Sequence, residues 1–232
     1  MLDFNQFEVV SFDCYGTLID WESGILPVLK QLLSSRDIDL SDDGTLEMFA
    51  EFESELEKDQ SNYIKYRQIL QEVVEKLGQR FNFEPTETEL NSLADSVKNW
   101  QPFPDTVAAL AALKQKYKLA VISNIDDDLF AGTAKHLQVE LDWVITAEQV
   151  RSYKPSTRNF ESAIDRMGIA PEKLLHVAQS LYHDIVPAAS MGISTVWVNR
   201  RQGKAGFGAT LPASAQPDLE VPDLKTLVEA IA

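Results

Sequence analysis

The spacing of the apolar residues changes twice along the chain and divides the sequence into three stretches. Residues 7–12 form a short run of mostly β-branched and aromatic side chains that ends at Asp13, which predicts a buried strand. Residues 21–100 carry apolar side chains at helical spacing, and no strand is predicted there. In residues 101–232 short apolar runs alternate with helical segments, which is typical of a parallel sheet covered by helices.

The alternation after residue 101 predicts four more strands and five helices. The strands are expected at 118–123, 143–146, 174–178 and 194–198, and the helices at 104–116, 127–136, 157–167, 185–191 and 223–232. Residues 199–221 are rich in Gly, Pro and Ala and are expected to lie over the surface. The pattern as a whole therefore predicts an α/β fold with a parallel sheet.

The helical stretch is predicted to be an insert into the sheet domain. One of its apolar faces includes Phe49 and Phe52, and most of its charges are expected on a solvated outer face. Thr86 and Glu89 have the spacing of a capping box, which predicts the start of a further helix. We therefore predict a core of residues 1–20 and 101–232 and a helical cap of residues 21–100.

Composition narrows the class of protein and of partner. A chain of 232 residues with 44% hydrophobic residues can bury a full core. Its 36 acidic and 21 basic residues give a formal net charge of −15, which argues against nucleic acid or an anionic membrane as partner. The single cysteine, Cys14, excludes an intrachain disulfide. No secretory signal and no apolar run of bilayer length is visible, which predicts a cytoplasmic protein.

Polar side chains follow most of the predicted strands, at the point where each strand ends. They are Asp13, Ser123, Asn124, Lys154, Gln179 and Asp184. Because the carboxyl ends of parallel strands meet at one edge of a sheet, we expect these side chains to converge there. A carboxylate nucleophile needs a cation to orient it and hydroxyl or amide donors for the leaving group. Asp13 is therefore a candidate nucleophile, although an aspartate here could also simply cap the turn.

The order of four short motifs resembles the haloacid dehalogenase superfamily over nearly the whole chain. The motifs are Asp13-x-Tyr15-Gly16-Thr17, Ser123-Asn124, Lys154-Pro155 and Asp184. The resemblance implies a Rossmann-like core with an inserted helical cap and Asp13 as the nucleophile. It implies that Thr17 and Ser123 bind the leaving or transferred group and that Lys154 steadies the nucleophile. Asp184 would organise the site or the water.

Tyr15 and Gln179 distinguish two reaction classes within this superfamily. The segment DCYGTLID is most similar to the 2-haloacid dehalogenase branch, whose members carry an aromatic residue at the position of Tyr15. Phosphatase members carry an aspartate there as proton donor, and a tyrosine with a pKa near ~10 is a poor substitute. Phosphatases also carry a magnesium-binding acid at the position of Gln179, and magnesium prefers more carboxylate oxygens than remain here. Both differences favour a dehalogenase without metal or other cofactor.

The resemblance also gives a set of candidate substrate-binding residues. Members of the dehalogenase branch usually carry an arginine that receives the halide or the substrate carboxylate. Arg67 is the candidate for this role, and a position on a helix surface is the alternative reading. His183, beside Asp184, is a candidate for assisting water or for a local hydrogen bond. The candidate substrate-binding residues are Tyr15, Asn124, Arg67 and Gln179.

The resulting hypothesis is a hydrolase of short 2-haloacids. Asp13 would displace the halide and form an ester that water then cleaves. Two alternatives stay open: a magnesium-dependent phosphatase of a small phosphorylated metabolite that works through an aspartyl-phosphate, and a weakly active member that serves as a binding protein. The expected partner is a small anionic substrate, with no nucleic acid and no membrane, and the cap could contribute to a homodimer.

Overall fold

A six-stranded parallel sheet forms the centre of the protein in this computed structural model, which describes residues 2–58, 63–204 and 206–231. The strands are β1 Val9–Phe12, β2 Lys118–Ser123, β3 Trp143–Thr146, β4 Leu174–Ala178, β5 Ser194–Val198 and β6 Leu219–Val221. Their order across the sheet is β3-β2-β1-β4-β5-β6, and each neighbouring pair runs parallel. The predicted α/β fold with a parallel sheet is confirmed, and β2 to β5 have the predicted bounds.

In the described part of the chain, helices lie between all consecutive strands except β5 and β6. Between β1 and β2 lie α1 Trp21–Ser34, α2 Asp42–Glu57, α3 Tyr66–Phe81 and α4 Glu87–Ser96. After them come α5 Thr106–Leu113, α6 Asp127–Leu137, α7 Ala147–Val150, α8 Arg158–Met167, α9 Val186–Ser190 and α10 Leu224–Ile231. Among the described residues, none of these helices combines the length and the apolar character that crossing a bilayer requires.

The sheet buries a different set of side chains on each face, because side chains alternate along a strand. On one face Val9 belongs to a hydrophobic cluster with Ala120, Ile122 and Phe160 of α8. On the other face Val10 belongs to a larger cluster that includes residues of α5, α10 and the helices α1 to α4. Helices thus cover both faces, which explains why the central strands are apolar at nearly every position.

The end of β1 lies at the point where the order of the strands reverses. β1 pairs with β2 on one side and with β4 on the other. The chain therefore continues from β1 toward one edge of the sheet and from β4 toward the opposite edge. In open parallel sheets a ligand crevice forms beyond the carboxyl ends of the strands at such a switch point. Asp13 follows β1 directly and therefore lies at this crevice.

The first four helices after β1, α1 to α4, pack on one another. α3 lies against α2 and α4, and α1 lies against the same two helices. The predicted capping box is present at the start of α4, where the Thr86 hydroxyl accepts from the Glu89 N–H and the Glu89 carboxylate accepts from the Thr86 N–H. The division into a core of residues 1–20 and 101–232 and a cap of residues 21–100 stays a prediction. Residues 1, 59–62, 205 and 232, which fall in these ranges, lie outside the described residues.

Residues 199–221 depart from the prediction of a surface segment. The segment returns to the sheet as β6, which pairs with β5, and Ala209 within it is fully buried. A three-residue edge strand with an exposed Glu220 is too short to produce a periodic signal in the sequence. The helix α7 is also absent from the prediction, for the same reason of length.

Candidate active site

Three charged side chains meet beyond the carboxyl ends of the central strands. Lys154 Nζ lies 2.9 Å from Asp13 Oδ1 and 2.6 Å from Asp184 Oδ1. The same ammonium group donates to the carbonyl of Ile122 at 2.9 Å. All three charged side chains are buried. One buried ammonium group therefore bridges two carboxylates, at the sheet edge where the sequence predicts convergence.

The loop after β1 fixes the orientation of the Asp13 carboxylate. The Thr17 hydroxyl donates to Asp13 Oδ2 at 2.7 Å and accepts from the backbone N–H of Gln179 at 2.9 Å. Gly16 turns the loop with φ +90°, and a Cβ at this position would lie 2.9 Å from Trp21 Nε1. Glycine is therefore required here by both the backbone conformation and the space. Both carboxylate oxygens of Asp13 are held by donors, one from Lys154 and one from Thr17.

The charges of the three groups depend on one another. Burial raises the pKa of Asp13 above its ordinary value, while the Lys154 charge lowers it and the Asp184 charge raises it again. Burial lowers the pKa of Lys154, but the two carboxylates outweigh burial and hold it above its ordinary value. Lys154 therefore stays charged at every pH of interest. Its charge is what favours a carboxylate at Asp13 inside the protein.

Asp184 forms a hydrogen bond with His176, a residue that the sequence analysis did not predict to be part of the site. Its Oδ1 lies 3.0 Å from His176 Nε2, and His176 Nδ1 lies 2.8 Å from Ser11 Oγ of β1. Burial raises the pKa of Asp184, but the Lys154 charge and the His176 hydrogen bond hold it below its ordinary value. Asp184 Oδ2 is buried and has no hydrogen-bond partner. An ionised oxygen in this state can accept a proton from water.

The end of β2 supplies Ser123 and Asn124. Ser123 Oγ is buried without a hydrogen-bond partner and lines the same cavity as Asp13. Asn124 Nδ2 lies 3.1 and 3.2 Å from the two Glu57 carboxylate oxygens and donates to the Lys154 carbonyl at 3.1 Å. Asn124 Oδ1 accepts from the Lys154 N–H at 2.7 Å. Asn124 therefore fixes the backbone of Lys154 and connects β2 to α2.

Two glutamates of α2 lie inside this cavity and are exceptions to the prediction that most charges of residues 21–100 face solvent. Glu53 and Glu57 are only 3% and 4% exposed and line the cavity together with Tyr66 of α3. The Tyr66 hydroxyl donates to Glu53. Burial raises the pKa of Glu53 to about 8 and that of Glu57 well above its ordinary range. Phe49, Glu53 and Glu57 recur every four residues, a spacing that could have identified one inward helix face.

His183 reaches the same cavity from the π-helical turn Leu181–Ile185 after β4. Its Nε2 is buried without a hydrogen-bond partner and lies 3.6 Å from Glu57 Oε2. Burial lowers the pKa of His183 to about 4, against the opposing effect of the Asp184 charge. The ring is therefore neutral near pH ~7.

Tyr15 and Gln179 lie at different depths in the site. Tyr15 lines the cavity, its hydroxyl is 2.8 Å from Thr133 Oγ1, and burial raises its pKa well above the ordinary value, so it stays protonated. Gln179 stands behind Thr17 and outside the cavity lining, where its Oε1 accepts from the Thr210 hydroxyl at 3.3 Å. Among the described residues, no three His, Cys, Asp or Glu side chains are arranged to hold a metal ion.

The structure does not bring Arg67 to the site. Its guanidinium group pairs with Asp95 at 3.1 Å and with Asp128 at 3.3 Å. Successive residues of a helix point about 100° apart, so when α3 turns Tyr66 into the cavity it turns Arg67 to the side. Of the residues that line the cavity in the described part of the chain, none is an arginine and Lys154 is the sole lysine.

Comparison with known proteins gives the same family as the motifs. A family profile described as haloacid dehalogenase-like hydrolase matches residues 7–192. The chain is 26% identical over 202 residues to (S)-2-haloacid dehalogenase 1 of Pseudomonas sp. strain CBS-3, a match that covers 82% of this chain and 83% of that protein. A shorter match of 104 residues, at 36% identity, links it to a glyceraldehyde 3-phosphate phosphatase of Methanothermobacter thermautotrophicus. That match covers 43% of this chain and 45% of the phosphatase.

The fold agrees with these sequence matches. The crystal structure of an L-2-haloacid dehalogenase has a TM-score of 0.80 and 25% identity to this chain, with 97% of this chain and 100% of the other covered. The family match extends from the segment before β1 to the end of α9, so it contains Asp13, Lys154 and Asp184. The chain therefore belongs to the haloacid dehalogenase-like hydrolases, and the protein is a hydrolase of that family.

Proposed function

We propose that this protein hydrolyses the carbon–halogen bond of short 2-haloacids, with Asp13 as the nucleophile. The observation that carries the proposal is the buried Asp13 carboxylate, held by Lys154 at one oxygen and by Thr17 at the other. A carboxylate nucleophile works best when its orientation is fixed and a cation balances the charge that shifts during reaction. The similarity to (S)-2-haloacid dehalogenase 1 supports this choice of substrate class.

In the first step an Asp13 oxygen attacks the carbon that bears the halogen. The new carbon–oxygen bond forms as the carbon–halogen bond breaks, and the halide leaves with the bonding electron pair. A halide needs a hydrogen-bond donor that is not already engaged, and the Ser123 hydroxyl in this cavity meets that requirement. The Thr17 hydroxyl and the Asn124 amide are engaged with other protein groups, so they orient the site.

In the second step water attacks the carbonyl carbon of the Asp13 ester. Asp184 Oδ2 accepts the proton of that water, and Lys154 stabilises the negative charge that develops on the carbonyl oxygen of the ester. The bond between the Asp13 carbonyl carbon and the bridging ester oxygen then breaks, and Asp184 returns its proton to that departing oxygen, which releases a 2-hydroxyacid. Asp13 is formed as a carboxylic acid and loses its proton, which restores the carboxylate. The overall reaction consumes one water and yields the hydroxyacid, a halide ion and a proton.

Entry of the substrate requires movement of the cap helices. The cavity beside Asp13 has a volume of about 30 Å³, which accommodates one or two water molecules. Glu57 and His183 line both this cavity and a wider outer groove that also includes Tyr182 and Lys58. We therefore expect the substrate to pass from the groove between α2 and the turn after β4 when the two separate.

Halide release from 2-haloacids, measured with and without chelator, tests the reaction. The wild-type protein should release halide in both conditions, and Asp13→Asn should lose at least about a thousandfold in rate, as removal of a nucleophile does. Asp165→Asn, a surface change, is the matched control. Turnover by Asp13→Asn at the wild-type rate would eliminate Asp13 as the nucleophile.

A single turnover in oxygen-18 water, with the protein in excess, tests the ester intermediate. The hydroxyl oxygen of the product should be unlabelled, because it comes from Asp13, and the peptide that contains Asp13 should gain one heavy oxygen. Direct attack of water on the substrate predicts the opposite distribution, with the label in the product and none in the protein.

A phosphatase is the second candidate, favoured by the 36% match to glyceraldehyde 3-phosphate phosphatase. It would use the same Asp13 to form an aspartyl-phosphate, and it predicts phosphate release from an aryl phosphate that depends on magnesium. Tyr15 offers a poor proton donor for that chemistry, because its raised pKa disfavours proton transfer near neutrality. A protein inert in both assays but stabilised against heat by one metabolite would instead have a binding role.

A further inference from the structure

The cavity beside Asp13 contains one ammonium group, and that group has no proton left for a substrate. A lysine ammonium carries three protons. The three acceptors of Lys154 are Asp13, Asp184 and the Ile122 carbonyl, at 2.9, 2.6 and 2.9 Å. In the described part of the chain no other lysine and no arginine lines the cavity. A substrate anion must therefore be held by neutral donors.

The amide of Asn124 is also engaged. Its two N–H groups point at the Glu57 carboxylate and at the Lys154 carbonyl. The Ser123 hydroxyl does not share this limitation, since it is 3% exposed, lines the cavity and has no hydrogen-bond partner. This unpartnered hydroxyl indicates that a polar ligand group belongs in the cavity, because buried polar atoms are almost always paired.

The cap side of the cavity holds two more carboxyl groups, Glu53 and Glu57. Together with Asp13 and Asp184 they make four carboxyl groups around the single charge of Lys154. Four ionised carboxylates cannot share one buried cation, because like charges in a desolvated site repel strongly. Burial accordingly raises the pKa of Glu57 well above its ordinary range and that of Glu53 to about 8. Asp13 and Asp184 contact Lys154 directly, so the two glutamates are the groups that take up protons.

We propose that Glu53 and Glu57 bind the carboxylate of the substrate as neutral carboxylic acids, donating O–H hydrogen bonds where a cap arginine would otherwise stand. This inference rests on the proposed function in one respect, that the substrate carries a carboxylate. A protonated acid in an apolar site is an effective donor to an oxyanion, as catalysis by buried neutral aspartic acid illustrates. Glu57 also borders the outer groove, so an entering anion meets its carboxyl group early.

Among the described residues, charged and titratable groups from four segments of the chain face the two glutamates. They are Tyr66 of α3, Asp13 after β1, Lys154 and Tyr153 after α7, and Asp184 and His183 after β4. Lys154 stays charged and the two tyrosines stay protonated over the useful pH range, while His183 loses its proton near pH 4. Glu53, whose pKa burial raises to about 8, therefore changes its ionisation near pH ~8, and burial keeps Glu57 protonated well above the ordinary range of a glutamate.

Calorimetric titration with propionate tests the proposal on the intact wild-type protein, without any turnover. Binding should be tightest near pH ~6 and weaken about tenfold per pH unit above pH ~8, where Glu53 loses its proton. The double variant Glu53→Gln/Glu57→Gln keeps amide donors of the same shape. It should bind propionate within about threefold of wild type near pH ~6 and keep that affinity at pH ~10. Glu51→Gln, an exposed position on the same helix, is the control.

Propionate affinity that is equal at both pH values would overturn the proposal, as would a loss of tenfold or more in the double variant near pH ~6. Binding of ethylammonium in preference to propionate would also overturn it, because that result requires ionised glutamates. If the double variant does not fold, proton uptake on propionate binding to wild type, measured in two buffers near pH ~8.5, replaces it. Absence of uptake would then refute the proposal. If the protein releases no halide but binds propionate in the pH-dependent way described, the proposed function is refuted and this inference is retained.

Discussion

Replacing Lys154 with methionine should destabilise the protein in a way that depends on pH. The substitution preserves most of the side-chain volume but removes the one cation between Asp13 and Asp184. Breaking a buried ion pair by removing one partner typically costs about 3–5 kcal/mol, because the remaining charge stays buried without compensation. For a protein of this size each kcal/mol lowers the melting temperature by about 2–4 °C, which gives a decrease of about 6–20 °C.

The pH dependence follows from the sign of the pKa changes. In the wild type the Lys154 charge and the His176 hydrogen bond outweigh burial and hold the pKa of Asp184 below its unfolded value. Asp184 therefore stabilises the fold above pH ~4 and loses that effect as the pH falls. In Lys154→Met burial and mutual repulsion should raise the folded pKa of Asp13 and Asp184 above their unfolded values. The variant should then lose stability as the pH rises through those raised values and recover when both groups are protonated.

Urea unfolding of wild type and Lys154→Met between about pH 4.5 and 8 measures this difference. The destabilisation should be largest near pH ~8 and shrink toward pH ~4.5. Lys225→Met, which removes an exposed ion pair with Glu229, should change stability by less than about 1 kcal/mol at any pH. A destabilisation by Lys154→Met that is constant over the pH range would mean that packing, and not charge, explains the loss, and the reasoning would be refuted.

Three further substitutions probe features that position the site. Thr86→Ala removes the capping box of α4 and should cost about 1 kcal/mol by urea unfolding, with halide release unchanged. Gly24→Ala should cost about 1–3 kcal/mol, since the added Cβ would lie 2.3 Å from the Trp100 ring; an unchanged melting temperature would contradict that estimate. Arg200→Lys loses the paired hydrogen bonds to the Thr17 carbonyl, so the turnover number should fall several-fold while the overall fold, by circular dichroism, is kept.

The strand ends could be predicted because their signals are local. β2 to β5 are short apolar runs between polar residues, so the sequence alone gives their bounds, and a parallel sheet brings their carboxyl ends to one edge. The contact of Lys154 with Asp13 and Asp184 then follows from topology, although these residues are up to 141 positions apart. His176 is the exception, since within an apolar strand it has no pattern that distinguishes a support for Asp184 from an ordinary core residue.

The cap side of the site could not be predicted in the same way. The direction in which a helix residue points depends on how the helix docks, and α2 carries charges on several of its faces. The aromatic residues Phe49 and Phe52 suggest one inward face of α2. Phe49, Glu53 and Glu57 are instead buried together, and Phe52 is only partly buried. The wrong prediction for Arg67 has the same origin. Tyr66 and Arg67 are neighbours on α3, and the rotation of the helix about its axis decides which of the two side chains points into the cavity.

Under the proposed function, recognition of the substrate depends on the helices α2 and α3, while the chemistry takes place at the sheet edge. The side chains of Lys154 and Asn124 use all their donors on other protein groups, so under the proposed function the sheet edge offers a substrate little beyond the Asp13 carboxylate and the Ser123 hydroxyl. A core of this kind can serve different substrates without change. Under this proposal, discrimination between anions comes from α2 and α3, where Glu53 and Glu57 of α2 supply carboxyl groups in place of a cation. Carboxylic acids lose their protons as the pH rises, so anion binding by Glu53 and Glu57 would weaken at high pH. Anion binding by an arginine, which stays charged, would not.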